Sequence, residues 1–283
     1  MEEMAKLRFL HIPKTAGSTF WRILRKQYKT GNCFKFTGRI AADKERYSAL
    51  SEDEKKSIEL FVGHAPLFSG IMEADQVPII TMLRDPVSRV KSYCQHVSEG
   101  KSLYLLEKYP PETFNLDEFL CSDNSELSNL QSRMLINYEA NSAGLLIDTL
   151  TPDQIKRKSI DNLFNKVASY GLQEYFDDSL MMFTRKLGWC APYYENVNRK
   201  NNSCLLTFER RHIDKIIELN PIDIELYRVA REAFIDTLLS DREFISSVEK
   251  FKRMQKFASP LIRVYRQTVR YIKRNYRAMQ NVK

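Results

Sequence analysis

Three short apolar runs, each followed by a polar turn, constrain the fold of this chain most strongly, and a helical pattern follows the first and the third. They cover residues 6–12, 58–62 and 77–83, and a further strand-like run follows at 166–172. Apolar runs of this length that alternate with helices are typical of a parallel sheet covered by helices. We therefore predict an α/β fold, in which helices flank a parallel sheet and a helical extension follows at the C-terminus.

The positive charge of the chain is concentrated in its C-terminal segment. The chain has 44 basic and 36 acidic residues, and residues 246–283 contain 11 of the basic residues and 1 of the acidic ones. Residues 1–245 therefore contain 33 basic and 35 acidic residues. The body is therefore close to neutral, and it has neither the basic stripe nor the aromatic platform of a nucleic-acid-binding domain. This division predicts one domain in residues 1–245, a separate tail in residues 246–283, and no nucleic acid as partner.

The tail has the spacing of an amphipathic helix. Apolar residues recur there every three or four positions, at Leu261, Tyr265, Val269, Ile272, Tyr276 and Met279. Arginine and lysine occupy much of the remainder, and a basic amphipathic helix of this kind can lie on an anionic membrane surface. Packing of the same helix on the domain, with a solvated outer face, is the alternative that the sequence leaves open.

The cysteines and the N-terminal sequence indicate in which cellular compartment the protein is found. The five cysteines form no CxxC pair, and with four dispersed histidines they indicate neither a disulfide framework nor a metal site. No apolar run approaches the ~20 residues of a membrane span, and the first residues lack the pattern of a signal peptide. We therefore expect a cytoplasmic protein, peripheral at a membrane if the tail binds lipid. The alternative is the Golgi lumen, if an N-terminal anchor precedes this sequence.

The sequence HIPKTAGSTF at residues 11–20 has the composition of an anion-binding loop. It joins the first apolar run to a helix, and the free N–H groups of a helix N-terminus attract phosphate and sulfate groups. Six residues are candidates for contacts to the anion: Lys14, Thr15, Ala16, Gly17, Ser18 and Thr19. The lysine precedes the glycine, so the loop is P-loop-like without matching the GxxxxGK[ST] pattern of nucleotide-binding loops.

A second motif, RDPVSRVKSY at residues 84–93, follows the third apolar run. Its aspartate and proline are typical of the start of a helix. Arg84 offers a planar fork of donors that suits phosphate, and Ser92 adds a hydroxyl two turns further along. Ligands of parallel α/β sheets bind beyond the carboxyl ends of the strands, so we expect both motifs to meet there with FVGHAP at residues 61–66.

HIPKTAGSTF and RDPVSRVKSY together resemble the 5′- and 3′-phosphate motifs of sulfotransferases that use 3′-phosphoadenosine 5′-phosphosulfate (PAPS). The resemblance is to the carbohydrate branch, which includes the heparan sulfate 2-O- and 6-O-sulfotransferases. It implies PAPS as co-substrate without a metal, Arg84 and Ser92 at the 3′-phosphate, and a saccharide hydroxyl as acceptor. Two other interpretations stay open: a P-loop-like nucleotide kinase and a non-catalytic nucleotide binder of the same fold.

His64 is the candidate general base. The Gly-His element after the second apolar run resembles the one that carries the base in the 2-O-sulfotransferases, and a neutral imidazole can take a proton from a hydroxyl near neutral pH. A carboxylate is the alternative, and Glu73 and Asp75 follow shortly after. Lys14 is the second catalytic candidate, because its charge can stabilise the departing 5′-phosphate.

The remaining candidates, apart from His96, come from softer likenesses to the same family. The segment NLQSRML resembles a family segment near the sulfuryl group, which makes Gln131 and Arg133 candidates for contacts to acceptor or donor, with a helix-surface ion pair as the alternative for Arg133. His96, at the end of the helix after Arg84, is a candidate for acceptor contacts from its position, with exposure to solvent as the alternative. The segment NVNRKN falls where relatives carry a basic loop over the adenosine. Arg199 and Lys200 are therefore candidates for PAPS binding.

Overall fold

The computed structural model describes residues 5–28, 32–136, 150–190, 192–195 and 205–280, and it describes side chains as far as residue 268. Among these residues, five strands form one sheet: β1 (Leu7–Leu10), β2 (Cys33–Phe36), β3 (Leu60–Gly63), β4 (Ile79–Leu83) and β5 (Ser169–Leu172). Their order across the sheet is β2-β3-β1-β4-β5, and every neighbouring pair is parallel.

Helices flank this sheet, which confirms the predicted α/β fold. Within the described residues they are α1 (Gly17–Gln27), α2 (Ile40–Ser48), α3 (Glu52–Ser57), α4 (Met72–Gln76), α5 (Pro86–Ser98), α6 (Leu116–Leu120), α7 (Leu130–Leu135), α8 (Pro152–Asn165), α9 (Phe176–Leu187), α10 (Arg210–Leu219), α11 (Pro221–Leu239) and α12 (Arg242–Gln280). Four short 3₁₀ turns complete the described elements.

The central strands are buried along their whole length. Every residue of β1 and of β4 is buried, as expected for a parallel sheet that is covered on both faces. The four apolar runs of the sequence correspond to β1, β3, β4 and β5. Strand β2 was not predicted, because this edge strand carries the exposed Lys35 between two buried phenylalanines and has no continuous apolar run.

The parallel register brings the strand ends together at one edge of the sheet. Leu10 at the end of β1 is paired with Gly63 of β3 on one side and with Thr81 of β4 on the other. The backbone N–H of His11 donates to the carbonyl of Gly63 at 2.9 Å, which continues the pairing past the end of the strand. The segments that follow β1, β3 and β4 therefore leave the sheet next to one another.

Helix α12 begins at Arg242, just before the predicted start of the tail. Its first turns are part of the domain packing, since Phe244, Val248 and Phe251 are buried. Gln255 continues this contact and exchanges two hydrogen bonds with the backbone of Tyr194. The tail is therefore helical, as predicted, and its first part is anchored. Within the described residues, no helix has the length and apolarity needed to cross a bilayer.

Candidate active site

The segments at the carboxyl edge of the sheet enclose a cavity of about 700 Å³. Nine residues that the sequence singled out line it: Lys14, Ala16, Gly17, Ser18, His64, Arg84, Ser92, His96 and Arg133. Thr15, Thr19 and Gln131 are buried behind this lining. Arg199 and Lys200 lie outside the described residues. The three predicted motifs thus meet at one cavity.

The loop before α1 has a backbone that non-glycine residues rarely adopt. Lys14 and Ala16 have left-handed φ angles of 70° and 69°. Thr15 between them is fully buried, and its hydroxyl donates to the carbonyl of Ile12 at 2.8 Å, which closes the turn from the inside. Such conformations cost ~1–3 kcal/mol each and cluster where a site needs them. Left-handed residues within a turn are also typical of the backbone nests that bind anions.

The N-terminus of α1 directs backbone donors at the cavity. The N–H of Thr19 already donates to the carbonyl of Ala16 at 3.1 Å, so this amide belongs to the helix. Gly17 and Ser18 are the first two residues of α1 and line the cavity, and N–H groups at these positions have no partner within a helix. The structure therefore places Ala16, Gly17 and Ser18 at the cavity, with the two threonines as support behind them.

Gly17 permits close packing of the loop against His11. A Cβ atom at Gly17 would lie 1.6 Å from Nε2 of His11. The His11 ring lies between Phe9 and His64, with ring-centroid distances of 5.5 and 4.5 Å. Burial lowers the pKa of His11 to about 3, and the charges of His64 and Lys14 act in the same direction. The His11 ring is therefore neutral and packs the anion loop against the candidate base.

Two cations, Lys14 and Arg84, share the cavity. Nη1 of Arg84 donates to the carbonyl of Lys14 at 2.9 Å, which joins the first motif to the second. Burial, together with repulsion by Arg84 and Lys101, lowers the pKa of Lys14 to about 8. Nε of Arg84 is buried without a hydrogen-bond partner among the described residues. Buried positive charge with an unused donor favours a phosphate-like anion.

Helix α5 presents Ser92 and His96 to the cavity, one turn apart. The helix starts as predicted, because the Asp85 carboxylate accepts from the N–H of Ser88 at 2.7 Å and Pro86 occupies the first position. Burial lowers the pKa of His96 to about 4, so its ring is neutral and can donate or accept one hydrogen bond.

Gln131 lies behind Arg84 rather than at the cavity. Its side-chain oxygen accepts from the Arg84 N–H at 2.9 Å, and its Nε2 donates to the Arg84 carbonyl at 2.8 Å. Arg133, two residues along α7, does line the cavity, and its Nη1 donates to the carbonyl of Ser125 at 2.8 Å. One of the two α7 candidates therefore faces the cavity and the other holds the second motif.

The contacts of His64 define its tautomer. Nδ1 lies 2.8 Å from the carbonyl oxygen of His11, and a carbonyl can only accept. Nδ1 therefore carries the hydrogen, and Nε2 of the neutral ring keeps its lone pair, as a general base requires. Gly63 allows this placement, because it has a φ of 139° and a Cβ there would lie 2.2 Å from the Phe36 carbonyl oxygen.

The two alternative carboxylates do not line the cavity. Asp75 accepts hydrogen bonds from buried Arg8 and from the turn at residues 69–70. Arg8 also donates to backbone carbonyls in the turn that follows His64, so this ion pair fixes that turn. Glu73 is exposed on α4. Neither carboxylate therefore lies at the cavity that His64 lines.

Several residues of the lining have no signal in the sequence: Thr37, Gly38, Arg39, Tyr104, Glu126 and Gln173. The first three follow β2, which was not predicted, so the strand-end rule did not point to them. Gln173 follows the predicted strand β5, so the same rule could have found it. Tyr104 donates to the Glu126 carboxylate at 2.6 Å, in a region where no strand points to the site.

The fold and the cavity define a parallel α/β protein with a cavity that contains buried positive charge at the carboxyl edge of its sheet. No family model matches the chain. It is similar to mouse heparan-sulfate 6-O-sulfotransferase 3, with 28% identity over 270 residues, which cover 80% of this chain and 57% of the relative. Human heparan-sulfate 6-O-sulfotransferase 2 is 26% identical over 295 residues, with 88% and 48% covered. The resemblance predicted from the two phosphate motifs is thereby confirmed.

The chain spans about half the length of these curated relatives. Among solved structures, it is similar to a mouse sulfotransferase in complex with PAP, with a TM-score of 0.37, 11% identity, and 88% and 89% of the two chains covered. A structural likeness of this size bears on neither the site nor the function.

Proposed function

We propose that this protein is a PAPS-dependent O-sulfotransferase that transfers a sulfuryl group to a hydroxyl of a carbohydrate. The observation that carries the proposal is that Lys14, Arg84 and His64 meet in one cavity, where the Arg84 side chain bonds the Lys14 carbonyl. The names of the two curated relatives support the same reaction and a saccharide of the heparan sulfate class as acceptor.

The cavity divides into two phosphate subsites. Lys14 and the backbone donors of Ala16–Ser18 would hold the 5′-phosphosulfate at the N-terminus of α1. Arg84 and Ser92 would hold the 3′-phosphate, which distinguishes PAPS from ATP, and the unused Nε of Arg84 supports this assignment. Arg199 and Lys200 are retained as candidates for the adenosine side.

The reaction is an in-line transfer in which His64 acts as general base. The acceptor hydroxyl gives its proton to Nε2 of His64 while its oxygen forms a bond to sulfur. The bond between sulfur and the 5′-phosphate oxygen breaks, and its electron pair remains on the phosphate. Lys14 and the N-terminus of α1 stabilise this developing negative charge, so the proposal requires no metal ion.

His96 and Arg133 are proposed to contact the acceptor. Both line the cavity together with His64. The neutral His96 ring can hydrogen-bond to a sugar hydroxyl, and the Arg133 guanidinium suits a carboxylate or sulfate group of an acidic saccharide.

The experiment that tests the function is transfer of labelled sulfuryl from PAPS to heparan sulfate and to a panel of other saccharides. We expect transfer with PAPS that EDTA does not reduce. A nucleotide kinase would instead phosphorylate an acceptor with ATP and lose this activity in EDTA. A non-catalytic binder would bind PAP tightly and transfer sulfuryl to no acceptor of the panel. Either result would contradict the proposal.

The affinity for PAP should fall as the pH rises above about 8. The pKa of Lys14 is lowered to about 8 in the free cavity, and a bound phosphate favours the charged ammonium and raises this pKa. Binding above pH 8 therefore takes up a proton, and the dissociation constant rises by up to about tenfold per pH unit. Calorimetric titration with PAP from pH 7 to 9.5 measures this. The Lys14→Met variant should bind more weakly and lose the dependence, and a flat wild-type profile would contradict the assignment.

We further propose that α12, from Met254 onward, lies on an anionic membrane surface. Met254, Phe257, Leu261, Val264 and Tyr265 share one face of this helix, and their side chains are 47–72% exposed. Lys252, Arg263 and Arg266 form ion pairs with Asp178 and Glu195 of the domain. The other basic residues in the segment 246–283 complement anionic lipid, whereas a second copy of the same helix would bring like charges together. Anionic lipid is concentrated in the cytoplasmic leaflet, which favours a peripheral, cytoplasmic location. Residues 1–245 then form the sulfotransferase domain, and residues 246–283 form a tail whose first turns pack on this domain and whose remainder binds the membrane.

Vesicle binding tests this tail. The variant with Phe257→Ser, Leu261→Ser and Tyr265→Ser keeps the charge of the helix and the buried Phe251. We expect partitioning onto vesicles of phosphatidylserine and phosphatidylcholine to fall at least about tenfold, because three inserted apolar side chains are lost. Sedimentation with vesicles at low salt measures it, and neutral vesicles are the control. Unchanged partitioning would leave the packing of α12 on the domain as its whole role.

A further inference from the structure

Just past the end of β4, the side chain of Gln131 makes the two backbone hydrogen bonds that a neighbouring strand would otherwise make. Arg84 directly follows the last residue of this strand, and the Gln131 amide both accepts from its N–H (2.9 Å) and donates to its carbonyl (2.8 Å). The Gln131 side chain is fully buried. A primary amide has the same donor and acceptor arrangement as a peptide group, so it can fix both backbone groups of one residue at once.

Gln131 is itself held rigidly by α11. The Asp223 carboxylate accepts from the backbone N–H of Gln131 at 3.0 Å, and from the N–H and hydroxyl of Ser132 at 2.7 and 2.6 Å. In return, the Asn129 side-chain oxygen accepts from the first N–H groups of α11. Asp223 is fully buried, so this reciprocal capping locks the start of α7 to the start of α11.

The position of Arg84 also affects the conformation of the anion-binding loop before α1. Its Nη1 donates to the carbonyl of Lys14, which has the left-handed φ of 70°. A shift of the Arg84 backbone would move the guanidinium and release this carbonyl. Hydrogen bonds therefore run without interruption from Asp223 through Gln131 and Arg84 to Lys14.

We propose that Gln131 is a positioning residue that sets the preference of the site for a nucleotide with a 3′-phosphate. This inference rests on the proposed function, because it assigns the 3′-phosphate to Arg84. Gln131 touches no substrate in this assignment. It acts by presenting the Arg84 fork to the 3′-phosphate and by holding the Lys14 turn through the same guanidinium.

The test compares the dissociation constants of PAP and 5′-AMP, which lacks the 3′-phosphate. Gln131→Met keeps the approximate volume and removes both hydrogen bonds. We expect this variant to weaken the binding of PAP about tenfold and the binding of 5′-AMP by less than about twofold. The reason is that the buried N–H and carbonyl of Arg84 lose their hydrogen-bond partner. The matched control is Asn162→Leu, which removes the 2.7 Å bond from the Asn162 amide to the Leu135 carbonyl of the same helix α7. The control should lower the melting temperature without changing the preference.

Gln131→Glu should make the affinity for PAP depend on pH in a way that general destabilisation of the fold would not produce. A protonated carboxyl group can accept from the Arg84 N–H and donate to its carbonyl, whereas the ionised form can only accept. The PAP affinity of this variant should therefore approach that of the wild type as the pH falls from 8 to 5. If Gln131→Met does not fold, this comparison remains available.

Three results would overturn the inference: an unchanged PAP preference in Gln131→Met, an equal loss of preference in Asn162→Leu, or a gap between Gln131→Glu and the wild type that is constant with pH. The wild-type preference for PAP is measured first. If the wild type binds PAP and 5′-AMP equally, the proposed function fails, whatever the Gln131 variants do. If the wild type prefers PAP and the variants keep this preference, only the role of Gln131 fails.

Discussion

His64→Ala should lose nearly all sulfuryl transfer while it still binds PAP. General bases contribute about 10²- to 10⁴-fold to turnover, and we expect a fall in kcat of about 10³-fold. The dissociation constant of PAP should change by less than about twofold, because the proposed phosphate subsites consist of the α1 loop, Arg84 and Ser92 and do not include the imidazole. Steady-state turnover with labelled PAPS and calorimetric titration with PAP measure the two quantities.

The matched control for this variant is His96→Ala. His96 lines the same cavity and has a neutral ring, but only His64 is bonded through Nδ1 to the His11 carbonyl with Nε2 left as a base. Removal of His96 should raise KM for the saccharide and leave kcat within about fivefold. Near-normal turnover in His64→Ala would place the base elsewhere, and so would a loss in His96→Ala as large as that in His64→Ala.

The parts of the site that follow directly from strand ends were predictable from the sequence. The runs at residues 6–12 and 77–83 contain β1 and β4, and the turn and helix after each run are where the pattern places them. Strand burial and helix capping are local properties, so a few residues are sufficient to specify them. The rule that ligands bind at the carboxyl edge of a parallel sheet then brings the loop, Arg84 and His64 together without knowledge of the tertiary structure.

The supporting contacts of the site were not predictable, because they join distant parts of the chain. Gln131 is 47 residues from Arg84, and Arg8 is 59 residues from the carbonyl of Leu67 that it binds. A glutamine that faces a substrate and one that caps a strand have the same appearance in a sequence. Only the packing of α7 against α11 decides between these two roles.

The tautomer of His64 shows the same limit at shorter range. The Gly-His element predicts a histidine at the strand end, but the bond from Nδ1 to the His11 carbonyl depends on the neighbouring strand. The left-handed residues Lys14 and Ala16 are also unexpected, since neither is a glycine. Their conformation is maintained by buried Thr15 and by the Arg84 side chain, which again belong to different segments.

Arg84→Ala should remove most of the preference for a 3′-phosphate. A guanidinium that binds phosphate through paired, charge-assisted hydrogen bonds contributes enough for a loss of about 10²-fold in PAP affinity. The affinity for 5′-AMP should fall only a few-fold, as a result of the lost bond to the Lys14 carbonyl. Arg84→Lys should behave almost like Arg84→Ala, because an ammonium group cannot bond this carbonyl and grip a phosphate in the same fork-like geometry.

Arg133→Ala is the control that shows whether the effect of Arg84→Ala depends on the position of the guanidinium or only on the loss of one positive charge. It removes the same charge from the same cavity, on the side assigned to the acceptor, and should change the affinity for neither nucleotide by more than about twofold. Ser92→Ala should fall between the two, with a loss of about fivefold for PAP alone, because it removes one neutral hydrogen bond. Calorimetric titrations of all four variants with both nucleotides are sufficient. Equal losses of PAP and 5′-AMP affinity in Arg84→Ala would show that the guanidinium supports the loop and does not bind a 3′-phosphate.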